Sequence, residues 1–258
     1  MSTNAKQTNR PPAPATKGKR TRVASAPPKR SPVLLATIGA IVAGAILVVV
    51  LVLANGLPGS NSSAALAAPA FTTPVELADG RSLGAATAPI AVDVWADFQC
   101  PYCGRFTEQI ESLIVPLYAQ PGHVRLTFHD YAFLGQESLD AAVAARVAGD
   151  LGGKFWAYHD MLFANQHGEN KGGFSRERLA DMAVAIGLDR QAFLTAMADP
   201  KYLAAVRQET NVGAGLGVNS TPTMFIDGQQ FTDLLSWSAV AAALDGLIPA
   251  ASGAAPSP

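Results

Sequence analysis

The amino-acid sequence predicts an α/β domain with an inserted block of helices, preceded by a single N-terminal membrane-spanning helix. Three features of its 258 residues predict this: a strand–helix–strand pattern between residues 90 and 128, an Ala-rich helical stretch at about 137–215, and the uncharged run Val33–Leu53. Charge is segregated along the same lines. The chain holds 19 Lys and Arg against 20 Asp and Glu, yet residues 1–53 carry eight basic side chains and no acidic one, and the first acid is Glu76. The rest has 11 basic and 20 acidic residues, so a net charge of −1 conceals +8 and −9. With 49% hydrophobic and 15% charged residues the chain is too apolar to be disordered throughout, and two cysteines exclude a disulfide-dense scaffold.

Residues 1–32, rich in Pro, Ala, Ser and Thr, predict a disordered basic tail. No aromatic residue is interleaved to stack on bases, so nucleic-acid binding is not expected. Val33–Leu53, at about 1.5 Å per residue, makes a helix of roughly 31 Å, the thickness of a bilayer's hydrocarbon core. A signal peptide cleaved at Ala65-Leu66-Ala67 is the rival reading, but this apolar run exceeds a signal core and ends a dozen residues before that site. Basic residues ahead of the span place the N-terminus in the cytoplasm and everything after Leu53 outside it. The prediction is a single-pass cell-membrane protein, with residues 54–71 a flexible linker, 72–248 the folded domain and 249–258 a frayed tail.

Within the domain, Ile90–Ala96 is β-branched and apolar, as a buried strand would be. Phe106, Ile110, Leu113, Ile114 and Leu117 then recur on one helical face, with Pro101 in the first turn and Pro116 expected to kink or end the helix. Val124, Leu126 and Phe128 alternate with polar residues as a second strand. The helical block has start signals at Ser175, Asp189 and Asp199-Pro200 and should contain four or five helices. Sheet character returns in Thr223–Ile226, an Asp227-Gly228 turn and Gln229–Phe231, and Ser236 caps a last helix.

Cys100-Pro101-Tyr102-Cys103 holds both cysteines and stands where a strand passes into a helix. A thiolate there faces unpaired N–H groups and the positive end of the helix dipole, which lowers its pKa and makes it a better leaving group. Cys100 is placed to benefit most, and Cys103, one turn in, to attack a mixed disulfide formed at Cys100. Two other readings stand beside this one. A zinc half-site would need two more ligands, and His123, His129, His159 and His167 have no ligand-like spacing, so no metal is expected. An inert bridge is a further option, although closing a two-residue loop gains little entropy. The second candidate element is Thr221-Pro222 at a strand entrance, where a cis bond would expose backbone to an extended peptide.

Taken together, Asp97-Phe98-Gln99-Cys100-Pro101-Tyr102-Cys103, the segment Lys154–Phe163 and Gly217–Thr223 resemble the thioredoxin fold, in particular the DsbA-like thiol-disulfide oxidoreductases of bacterial envelopes. The resemblance runs from about Pro74 to Leu247. It implies a thioredoxin fold with a helical insertion and a protein disulfide oxidase that needs no cofactor beyond a redox-active Cys100–Cys103 disulfide. It also implies that Cys100 is the nucleophile, Cys103 the resolving cysteine, Pro101 and Tyr102 the active-site motif, and Thr221 with cis Pro222 the peptide-facing wall. Its partners would be cysteine-containing secreted proteins and a membrane reoxidase of the DsbB or vitamin K epoxide reductase type. A reductase or isomerase of the same fold, and a tethered metal- or partner-binding module, are the alternatives. One departure stands out: many relatives carry a buried Glu six residues before the first cysteine, where this chain has Val94. Strand alternation sends Asp93 to the opposite face, and Asp97 reads as a loop or capping residue. Trp156 and His159, three residues apart, read as core packing.

Overall fold

A computed structural model describes residues 65–248 of the chain. The basic tail 1–32, the predicted span 33–53, the linker up to residue 64 and the segment from 249 onward lie outside the described residues; among the described ones no helix is long and apolar enough to cross a membrane. The described end of the predicted linker is tied to the domain. Ala67 N–H donates to Asn165 Oδ1 (2.8 Å), Asn165 Nδ2 donates back to the Ala67 carbonyl (2.9 Å), and Leu66 and Phe71 pack on the core. Two apolar side chains within reach of a hydrophobic surface are enough to hold this stretch down.

Six strands form one mixed sheet: β1 (Ala78–Asp79), β2 (Ser82–Leu83), β3 (Ile90–Ala96), β4 (Val124–Asp130), β5 (Thr223–Ile226) and β6 (Gln229–Phe231), in the order β1-β2-β4-β3-β5-β6. β3 and β4 are parallel, in register from Ile90 opposite Val124 to Ala96 opposite Asp130, and every other pair is antiparallel. A parallel pair needs a crossover, and the helix between the two strands, α1 (residues 101–119), supplies it. The Asp227-Gly228 turn joins β5 to β6 with both residues at positive φ, 48° and 75°.

Helix α1 begins as Pro101–Phe106, widens into a π turn over Thr107–Glu111, tightens over Ser112–Ile114 and widens again over Val115–Ala119. The helix does not stop at Pro116 itself, which falls inside the second π segment, but it ends three residues later at Ala119. The wider turns also rotate the buried face: Phe106, Ile110 and Ile114 are buried as the pattern predicts, but Val115 and Tyr118 follow them inward, and Leu117 is left exposed.

The insertion contains five helices: α2 (Gln136–Gly152), α3 (Phe155–Ala164), α4 (Arg176–Ala185), α5 (Arg190–Met197) and α6 (Pro200–Gly215); α7 (Trp237–Leu247) closes the domain. Each predicted start signal works as a cap. Ser175, Asp189, Asp199 and Ser236 accept from the backbone N–H of Arg178, Ala192, Lys201 and Ala239 respectively, satisfying donors that the helix leaves unpaired. Val92, Val94, Leu126 and Phe128 join α1 and the insertion in one core. The other face of β3 carries Trp95, which clusters with Tyr131, Val218 and Phe225. Helix α6 lies close over this second cluster because residue 213 is glycine: a Cβ there would sit 2.7 Å from the Trp95 ring and 2.9 Å from that of Tyr131.

Candidate active site

Cys100 is the N-cap of α1, extended at φ −70° and ψ 120°, with Pro101 in the first helical position. Its carbonyl accepts from the N–H groups of Cys103 (3.1 Å) and Gly104 (3.2 Å); Pro101 has no N–H, so the unpaired donor of the first turn that faces the sulfur is that of Tyr102. Both cysteines are thiols in this structure and both are buried, at 5% exposure for Cys100 and 1% for Cys103. Cys100 Sγ–H donates to the Thr221 carbonyl at 3.3 Å. The Thr221–Pro222 peptide bond is cis, and both residues are half-buried. The two motifs that hold the six residues singled out in the sequence are thus brought together, although 118 residues separate Cys103 from Pro222.

The two sulfurs are driven apart electrostatically. A hydrogen bond from the Cys103 thiol favours ionised Cys100; burial opposes it, and the Thr221 side chain and the backbone of Cys103 and Tyr102 reinforce it, leaving the Cys100 pKa at about 6. Burial pushes Cys103 the other way, well above an ordinary thiol, and the neighbouring Cys100 adds to the effect. Near neutral pH Cys100 is therefore the sulfur that ionises, while Cys103 keeps its proton. Such a pair has a stable leaving group at one sulfur and a proton-retaining partner at the other.

Residues 97–100 are held from below by a polar frame. The buried Asp97 carboxylate accepts from Gln99 N–H (2.8 Å) and Ser138 Oγ (2.7 Å) through one oxygen, and from the N–H groups of Phe133 (3.0 Å) and Leu134 (3.1 Å) through the other. Asp97 is a loop residue, as expected, and its carboxylate staples that loop to residues 133, 134 and 138. The Gln99 amide donates to Ser138 Oγ (2.8 Å), and its carbonyl accepts from Asn170 N–H (2.6 Å). Pro101 and Tyr102 are exposed, and the Arg105 guanidinium lies 4.4 Å from the centre of the Tyr102 ring. Residues 76–246 match the family model described as Thioredoxin.

The chain belongs to the thioredoxin family.

Three similarities set this thioredoxin-family protein among known ones. The Na(+)/H(+) antiporter NhaA 3 of Salinispora tropica is 30% identical over 168 residues, 62% of this chain and 24% of that protein. Disulfide bond formation protein D of Bacillus subtilis is 26% identical over 147 residues, 56% of this chain and 66% of that protein. The match to this chain therefore spans about a quarter of the antiporter's length and about two thirds of the disulfide protein's. Among solved structures, oxidised BdbD from Bacillus subtilis superposes with a TM-score of 0.61 at 19% identity, covering 70% of this chain and 97% of that one, a likeness of fold.

Val94 is buried on the core side of β3, opposite Phe128 and Met224, so no carboxylate stands at that place. Asp93 points to the other face, as alternation predicts, and bonds His129 Nε2 at 3.0 Å. Trp156 and His159 are core residues, as expected, but His159 has partners the sequence did not reveal. Its Nδ1 meets Asp160 Oδ1 at 3.0 Å, and its Nε2 faces the buried Glu111 carboxylate at 3.7 Å. Burial raises the Glu111 pKa to about 7 against the pull of His159, with Asp160 adding to the rise. Among the described residues these three bring donor atoms within 4.8 Å of one another. Asp160 is already engaged by Thr73, through its N–H (2.7 Å) and Oγ1 (3.1 Å). What remains is a Glu–His pair, two short of a tetrahedral metal site.

Proposed function

We propose that this thioredoxin-family protein is an extracytoplasmic thiol-disulfide oxidoreductase that donates a Cys100–Cys103 disulfide to cysteine pairs of secreted or envelope proteins. The observation that carries this reading is the unequal pair: Cys100 held near pKa 6 beside the Cys103 thiol at a helix N-terminus, Cys103 buried and protonated. A substrate thiolate attacks Cys100 Sγ of the disulfide; the Cys100–Cys103 bond breaks and the Cys103 sulfur takes up a proton. A second substrate thiolate attacks the substrate sulfur of the mixed disulfide and expels the Cys100 thiolate. The substrate loses two electrons and the protein gains them. Stabilising that thiolate stabilises the reduced form, which is what makes a dithiol pair oxidising. The exposed Tyr102 and Phe133, the latter tied by its N–H to Asp97, offer apolar contact for an unfolded chain.

Tethering by residues 33–53, with the N-terminus in the cytoplasm, rests on the sequence, as does the outward placement of the thiols where disulfides persist. The reduced protein must be returned to its disulfide, and a membrane reoxidase of the DsbB or vitamin K epoxide reductase type fits that requirement. Antiporter activity is no part of this reading, because the match covers 24% of that relative. The test is trapping in cells. Cys103→Ser should accumulate mixed disulfides with secreted proteins, released by dithiothreitol and missing from the Cys100→Ser, Cys103→Ser double variant. A Cys103→Ser chain that carries no such adduct contradicts the proposal.

A further inference from the structure

The segment leaving α3 reaches back to the redox motif through one amide. Gln166 Nε2 donates to the carbonyls of both Phe98 (2.8 Å) and Cys100 (2.9 Å). The Cys100 carbonyl thereby accepts from three N–H groups: Cys103, Gly104 and Gln166. Gln166 can lie across the first turn of α1 because residue 104 is glycine, where a Cβ would stand 2.6 Å from Gln166 Oε1. Its neighbours anchor the same segment, Asn165 to Ala67 and Asn170 to Gln99 and Leu134, so the amide is delivered from a fixed base.

We propose that Gln166 is a positioning residue for the redox pair: by bridging the Phe98 and Cys100 carbonyls it fixes the turn that presents Cys100 Sγ and draws off the negative end of the Cys100 carbonyl dipole. The inference rests on Cys100 being the exchange nucleophile. A carbonyl on the same residue as a thiolate repels it, and each N–H that the carbonyl accepts reduces that repulsion. Without the amide, the buried Phe98 carbonyl loses a donor, and the 98–100 turn can relax toward solvent or toward the sulfur.

The test is titration of the Cys100 thiolate by its ultraviolet absorbance in the reduced, purified full chain, with Cys103 remaining protonated through the range. Gln166→Met keeps length and packing but removes the donor; it should move the midpoint up by about one unit, a tenfold loss of thiolate at any pH below both midpoints. Gln166→Glu, which replaces the donor by a charge, should move it further. Gly104→Ala leaves Gln166 intact but pushes its amide away, and should shift the midpoint in the same direction. A residue with a merely structural role would lower the melting temperature and leave the midpoint in place. Midpoints in Gln166→Met and Gly104→Ala within about 0.2 units of the parent overturn the proposal. A parent chain that itself titrates like a free thiol instead overturns the reading of Cys100 on which it rests.

Discussion

Asp97 shows how much of the site depends on a side chain that is spent on the loop rather than on either sulfur. One buried carboxylate accepts from three backbone N–H groups and the Ser138 hydroxyl, joining the strand end before the motif to the start of the helical insertion. Asp97→Ala strands those donors, each unmet buried group costing about 1–3 kcal/mol before water enters. We expect a loss of about 3 kcal/mol or more in urea unfolding of the full chain. A loss under about 1 kcal/mol would mean that the loop is held by other contacts. The carboxyl itself was visible in the sequence beside the motif, but its donors at 133, 134 and 138 were not, because nothing in a linear pattern brings them to it. Gln166 and the Glu111–His159 pair were illegible for the same reason. Their partners lie 48 to 68 residues away in sequence and meet only through the packing of α1 against α3.

The elements divide along the same line. Capping is local, so Ser175, Asp189, Asp199 and Ser236 could be read before the fold was known, and so could the alternation of β4. The π turns of α1 could not: an extra residue per turn is selected by how the helix face meets the core, and the apolar spacing fits an α-helix almost as well. Close approach of α6 to the sheet was likewise hidden, since Gly213 has no distinguishing context in an Ala- and Gly-rich helix. Gly213→Ala should gain about 1 kcal/mol of helix propensity but place a methyl against two fixed rings. Trp95 is stacked on His129, and the Tyr131 hydroxyl donates to the Val218 carbonyl at 2.6 Å, so neither ring can yield. The clash wins, and the variant should lose about 1–2 kcal/mol; a more stable variant would show that α6 slides freely on the sheet.

Across the whole domain, a network of charges ties sheet to insertion. Glu209 on α6 bonds His129 on β4 (2.9 Å), Arg81 beside β2 and Arg146 on α2, and Arg146 also bonds the buried Asp130 (2.6 Å). Burial opposes protonation of His129, but hydrogen bonds to Asp93 and Glu209 prevail and raise its pKa to about 9. A histidine pKa raised on folding stabilises fully below the unfolded value near 6.5 and loses that contribution as pH climbs through about 9. Melting temperature should therefore fall between pH 6.5 and 9.5, by roughly 3 to 10 °C from this group, and His129→Gln should flatten the fall. An equal fall in the variant would place its origin elsewhere. These pairings hold the scaffold on which the two motifs converge, and the chemistry itself comes down to one quantity, the redox poise of Cys100–Cys103. Equilibrating the full chain with glutathione buffers measures it directly. A potential well above the roughly −270 mV of a reducing thioredoxin is the predicted result, and a potential as low as that one would contradict the oxidant reading by reversing the direction of electron flow.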